Sequence, residues 1–175
     1  MIAFDAEYTS LDPKNMRLVS FALVPIRDDV IKINQSIYVI VSQKSTGPSA
    51  KIHGIVGNMG IEEEEALSIL YKHIVGNTLI VFTTIDIQFL KRVFGKKIKG
   101  LKYIDIAKWY LNYMSKKSWT ELELQKGLSL ETVVKNLGID ITNYIFHNSL
   151  LDAIHTALIY LKLKKLGIQM KEEKV

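Results

Sequence analysis

The stretch Met1-Ile2-Ala3-Phe4-Asp5-Ala6-Glu7-Tyr8 decides the reading of this chain. Its apolar run from Met1 to Ala6 predicts a short buried strand. Asp5 and Glu7 stand two apart, and in a strand such side chains project from one face. Two acidic groups on one face of an otherwise apolar segment are expensive to bury unless a cation compensates them. Hard cations such as magnesium or manganese take oxygen ligands of this kind. The alternative ends the strand near Asp5 and leaves both carboxylates solvated, and the pair alone does not decide between them.

Outward from that strand, Asp12-Pro13-Lys14-Asn15 reads as a turn, Met16 to Pro25 as a second strand and Arg27-Asp28-Asp29 as a hairpin loop. Val30 to Val41 alternates at Ile31, Ile33, Ile37 and Val39, which predicts one continuous third strand and an antiparallel start. After the small polar loop Ser42 to Pro48 the texture changes. Ile61 to Val75 has apolar residues at helical spacing behind an acidic first turn. Thr78 to Phe82 reads as a strand, Ile85 to Phe94 as a helix, Lys102 to Ile104 as a strand, and a helix follows through Tyr113. Leu128 to Leu137 is helical and stops at Gly138; Asn148 to Leu166 is a long last helix stopping at Gly167. The charged tail from Ile168 to Val175 is expected to fray. Three strands followed by alternating helix and strand indicate an α/β fold with a mixed sheet and helices on its faces.

A chain of 175 residues with 48% hydrophobic content can bury a real core, so one domain over residues 1–167 and a tail over 168–175 are expected. With no cysteine, disulfide scaffolds, thiolate zinc sites and cysteine catalysis are excluded. No apolar stretch is long enough for a membrane span, the N-terminus does not read as a signal peptide, and a cytoplasmic location is the default. The net charge of +5 suits a polyanionic partner, because basic side chains release counterions from phosphates.

Two further elements carry carboxylates. Asp86 follows the strand Leu79 to Phe82, near the carboxyl end where open α/β sheets collect ligands. Thr83 and Asp86 also match a helix-start box, so Asp86 could serve only that terminus. In Phe146-His147-Asn148-Ser149-Leu150-Leu151-Asp152, Ser149 and Asp152 match the same box, while His147 precedes the helix, five positions before Asp152.

Taken together, Asp-x-Glu on the first strand, Asp at a mid-chain helix start and His-x4-Asp at the last helix resemble the DnaQ-like, or DEDDh, 3′–5′ exonucleases. Phe4 to Pro13 is similar to that family's first motif, Ile52-His53-Gly54-Ile55 to the segment after its third strand, and Ile85 to Leu90 to its second motif. Tyr103 to Ala107, Leu128 to Ile139 and His147 to Ala157 resemble the rest, so the resemblance runs from Ile2 to Leu166 in the family's order. The chain departs from it at Tyr8-Thr9-Ser10, where many members have Thr-Thr-Gly, and at Val81-Phe82, where many have His-Asn.

The resemblance implies an RNase H-like fold with a five-stranded mixed sheet, three antiparallel strands and then two parallel ones, flanked by helices. It implies two divalent cations, Mg²⁺ or Mn²⁺, held by Asp5, Glu7, Asp86 and Asp152, with His147 as general base. The implied reaction is hydrolysis releasing nucleoside 5′-monophosphates from a nucleic-acid 3′ end, with single-stranded DNA placed ahead of RNA. It further implies substrate contacts from Tyr8, Thr9, Ser10, Leu11 and His53; a core role for Tyr8 and a structural one for His53 stay equally open. His155, three residues after Asp152, is read as a partly buried polar neighbour rather than a ligand. An RNA-directed exonuclease of the RNase T or oligoribonuclease kind, an inert nucleic-acid-binding module, a proofreading or repair role beside a separate polymerase, and a homodimer are the remaining alternatives.

Overall fold

The computed structural model describes residues 1–10, 12, 15–42, 60–115, 128–140 and 147–175. Strand β1 (Ile2–Tyr8) does not stop near Asp5: it runs through both acidic residues and pairs antiparallel with β2 (Leu18–Arg27) from Ile2 opposite Pro25 to Tyr8 opposite Leu18. The Asp28-Asp29 loop then reverses the chain, both residues having positive φ (52° and 58°), as a tight two-residue hairpin requires. The expected continuous third strand is broken. Val30–Ile31 (β3) pairs with the end of β2, the 3₁₀ turn Ile33–Gln35 interrupts, and Ile37–Ile40 (β4) pairs with Ser20 to Leu23. Apolar alternation continues across that break, so periodicity alone conceals it.

Beyond α1 (Glu63–Ile74), β5 (Thr78–Val81) lies parallel to β1 and β6 (Lys102–Asp105) parallel to β5. The five expected positions are therefore present as β4, β2, β1, β5 and β6, with β3 sharing the outer edge of β2. The tail does not fray. Glu173–Lys174 (β7) pairs antiparallel with β6, Val175 N–H donates to Leu101 O at 2.9 Å, and Lys102 and Lys108 bind Glu172 and Glu173.

Period-two alternation along β1 assigns its side chains to two cores. Ile2, Phe4, Ala6 and Tyr8 pack with α1 and α2 (Ile85–Phe94) on one face. Ala3 packs with α3 (Ile106–Ser115), α4 (Leu130–Asn136) and α5 (Ser149–Lys165) on the other. Ala3, Ala22, Ala153 and Ala157 are all fully buried, and these small residues let α5 lie close against β1 and β2. The buried hydroxyls of Ser20 and Ser149 meet at 2.9 Å, fixing the start of α5 on the sheet. No helix of the described residues is long and apolar enough to cross a membrane.

Phe4 is fully buried on the face of β1 opposite the acidic pair. Phe4→Ala is expected to lower stability by about 3–5 kcal/mol, read as a reduced denaturation midpoint with an unchanged m-value.

Candidate active site

Asp5 and Glu7 share the Ala3 face of β1, which α5 covers, and Asp152 sits in the first turn of that helix. Carboxylate oxygens of Asp5, Glu7 and Asp152 all lie within 4.8 Å of one another. Asp86, in the first turn of α2, is buried beside this trio rather than in it. Its Oδ1 accepts a hydrogen bond from the Tyr8 hydroxyl at 2.7 Å.

Both later acids lie in the first turn of their helices, but the capping-box readings fail on their caps. Thr84, not Thr83, precedes α2 and caps it with no side-chain bond, so Asp86 belongs to no capping box. At α5 the cap is Asn148, whose Oδ1 accepts from Leu150 and Leu151 N–H; Ser149 lies inside the helix with its hydroxyl on Ser20. Asn and Ser are comparable capping residues, so neighbouring positions could not be ranked from sequence.

The electrostatics follow from packing like charges in a site largely withdrawn from water. Burial, followed by repulsion from Asp86, Asp152 and Glu7, holds the Asp5 carboxyl well above the usual carboxylate range. Burial, then Asp152 and Asp86, pushes Glu7 up to about 7. Asp86 is raised to about 7, chiefly by burial; the Tyr8 hydrogen bond opposes the rise and Asp152 adds to it. Each of these three groups binds a proton more tightly than a free carboxylic acid because burial disfavours its charged form and the neighbouring carboxylates add repulsion. Clustered carboxylate oxygens are the donor set that a hard divalent cation takes, so the residues present fit such ions.

The remaining candidates fall in different places. His147 stands exposed immediately before the Asn148 cap, in left-handed backbone (φ 65°), and is not in the group of ligand atoms within 4.8 Å of one another. Tyr8 is only 7% exposed, with its ring 4.9 Å from that of Phe89. This packing gives it a core position under Asp86 in place of a base-stacking surface. Alternation from Phe4 and Ala6 was the signal for that position. Thr9 and Ser10 are half-buried in the turn after β1: the Thr9 hydroxyl donates to Asn15 O at 3.2 Å, and Ser10 Oγ accepts from Asp12 N–H at 3.0 Å. Leu11 and His53 lie outside the described residues. His155 is buried, its Nδ1–H donating to Leu151 O at 2.9 Å, and it does not join the metal-ligand group.

In metal-free protein the raised carboxylates make stability fall as pH rises. The unfolded chain releases these protons near pH 4–4.5, while Glu7 and Asp86 in the fold keep theirs to about pH 7. At about 1.4 kcal/mol per pKa unit, a loss of a few kcal/mol is expected between pH 4.5 and 7.5. Chemical denaturation in chelator across that range measures it, and a flat profile would refute the crowding of charge.

Residues 2–160 match the family model RNase T, described as Exonuclease. No curated protein sequence matches the chain. Among solved structures, the chain is similar to a 3′-exonuclease described for 3′-end-specific recognition of a histone mRNA stem-loop. The TM-score is 0.74 and the identity 15%, covering 99% of this chain and 91% of that one. It is also similar to the nuclease domain of 3′hExo, a DEDDh family member bound to rAMP, with TM-score 0.71 and 17% identity over 99% of this chain and 95% of the other. Exonuclease X in complex with 5′ overhanging duplex DNA gives 0.65 and 16% over 93% and 90%. At such identities the structural likeness speaks for the fold, and the family match carries the activity; exonucleases of this kind use divalent metals. With an RNase H-like sheet and a family match spanning nearly its whole length, the chain belongs to the DnaQ-like (DEDDh) 3′–5′ exonucleases.

Proposed function

We propose that this enzyme hydrolyses the terminal phosphodiester at the 3′ end of single-stranded DNA or of a DNA 3′ terminus, releasing nucleoside 5′-monophosphates with two Mg²⁺ or Mn²⁺ ions and His147 as general base. The observation that carries it is the meeting of Asp5, Glu7 and Asp152 oxygens within 4.8 Å, with Asp86 buried beside them; burial and neighbouring charge hold Asp5, Glu7 and Asp86 above the usual carboxylate range. Binding alone calls for no such cluster.

Asp5, Glu7, Asp86 and Asp152 would hold the cations. When bound, such ions polarise the phosphoryl oxygen and supply hydroxide at neutral pH. The carboxylates of β1 and α5 do the orienting, because both elements are packed against a shared core and cannot drift apart. Tyr8 fixes the rotamer of Asp86 through its hydroxyl and leaves the second oxygen of that carboxylate for a ligand. His147, on the exposed step into α5, would take the proton of the attacking water, and an imidazole suits proton transfer near neutral pH. The Thr9–Ser10 turn follows Glu7 and Tyr8 directly along the chain and would bear on the terminal nucleotide.

An RNA 3′ end is the second reading, favoured by the RNA stem-loop and rAMP of two similar structures against the duplex DNA of the third. One experiment addresses both. Oligonucleotides of DNA and RNA, labelled at either end, are incubated with Mg²⁺, Mn²⁺ or chelator. Mononucleotides appearing from 3′ ends only with metal support the proposal, and the faster sugar identifies the substrate. Binding without degradation in every metal would sink it.

Asp5→Ala and Asp152→Asn are expected to abolish metal-dependent release while the circular dichroism of the fold is kept. His147→Ala is expected to lower kcat by about 10²–10⁴-fold. Full release by either aspartate variant removes that residue from the mechanism.

A further inference from the structure

We propose that the pole of the sheet opposite the carboxylates is a second nucleic-acid contact, a basic surface that takes the phosphodiester backbone of a single strand through Arg27, Lys72, Lys97 and Lys99. This rests on the exonuclease reading and adds to it a site away from the chemistry.

The topology gathers these cations. Because β1, β5 and β6 are parallel, their N-terminal ends share one pole, with Ile2 opposite Leu79 and Thr78 opposite Lys102. Antiparallel β2 brings Pro25 beside Ile2, so its last residue, Arg27, arrives at the same pole. The last turn of α1 delivers Lys72, and the 3₁₀ turn Gly95–Ile98 after α2 delivers Lys97, followed by Lys99. Asp5 and Glu7 are three and five residues farther along β1 from Ile2, roughly 10–17 Å away at strand rise.

Two cavities adjoin there. One of about 320 Å³ is lined by Arg27 and Lys72, and one of about 370 Å³ by Lys97, Lys99 and Lys102; Asn77 lines both. No Asp or Glu lines either cavity. Lys102 is bound to Glu172 at 2.8 Å. Arg27, Lys72, Lys97 and Lys99 are exposed and make no side-chain ion pair or hydrogen bond among the described residues. Glu172, held by Lys102 and the Thr78 hydroxyl, is the acid beside this pole among the described residues; the four unpaired cations outnumber it and leave the surface positive, which attracts a polyanion.

Helix dipoles explain only part of this. Lys72 offsets the C-terminal end of α1, but Arg27 ends a strand and Lys99 lies past the 3₁₀ turn. The cations are also distributed along two cavities rather than converging on one point. A free phosphate would engage one or two of them, whereas a strand offers a repeating row of charges that matches the spread.

The test uses the full chain in chelator, so that no hydrolysis occurs, with 5′-fluorescein oligothymidylates of 3 and 20 nucleotides and fluorescence anisotropy. For the combined variant Arg27→Ala, Lys72→Ala, Lys97→Ala and Lys99→Ala, the 20-mer is expected to bind at least tenfold more weakly. Its log K against log salt slope should be shallower by about 3, four phosphate contacts at roughly 0.7 each. The 3-mer, too short to span the two poles, should bind and (with Mn²⁺) turn over as in the wild type. Charge-keeping replacements Arg27→Lys, Lys72→Arg, Lys97→Arg and Lys99→Arg should restore 20-mer binding. An unchanged 20-mer affinity and salt slope overturns the proposal, as does displacement of the 20-mer by low-millimolar inorganic phosphate. Failure of wild-type protein to degrade any oligonucleotide in metal counts instead against the exonuclease reading, because the binding measurement in chelator does not depend on it.

Discussion

Mutual repulsion among Asp5, Glu7, Asp86 and Asp152 is the constraint around which this molecule is organised. Left to themselves, these groups would separate or protonate; burial first, and then the neighbouring charges, raise the proton affinity of Asp5, Glu7 and Asp86. The fold prevents separation by placing the first pair on the central strand of the sheet and the others in the opening turns of two packed helices. Apolar burial on both faces of β1 provides the opposing free energy. A site of this kind is destabilising in isolation, and it persists because the surrounding cores over-determine its geometry.

The precision of that geometry comes from small residues. Alanines on β1, β2 and α5 bring a helix axis near the sheet, and a single hydroxyl pair, Ser20 with Ser149, sets its register one turn from Asp152. Tyr8 performs the corresponding service from the other face. Its ring is anchored in the Phe89 core and its hydroxyl steers Asp86, so the two sides of the sheet meet at the carboxylates. Hydrogen bonding from Tyr8 also tempers the rise of the Asp86 pKa, leaving that carboxylate easier to ionise than burial alone would allow.

Sequence patterning made much of this legible. Two-residue spacing put Asp5 and Glu7 on one face, and the order of elements gave the mixed sheet, because both follow from backbone periodicity. Side-chain choices between equivalent partners were not legible. Ser149 looked like a cap, yet Asn148 beside it is equally able to cap, and only the position of Ser20 across the core decides between them. The break between β3 and β4 was hidden because the apolar residues Ile31, Ile33 and Ile37 keep alternating through the 3₁₀ turn. The tail misled for the opposite reason. Its charges suggested solvation, but Glu172 and Glu173 meet Lys102 and Lys108, neighbours distant in sequence that no local pattern announces.

That docked tail has a consequence for how the protein behaves in a crowd. An open sheet invites other chains to add strands along its margins, and the backbone of β6 is such a margin until Glu173 and Lys174 occupy it. On the far side, β2 meets two short segments with a turn between them, so no long straight ladder is presented there. Among the described residues both margins of the sheet thus end in strands of two to four residues, and short edge strands are poor templates for added chains.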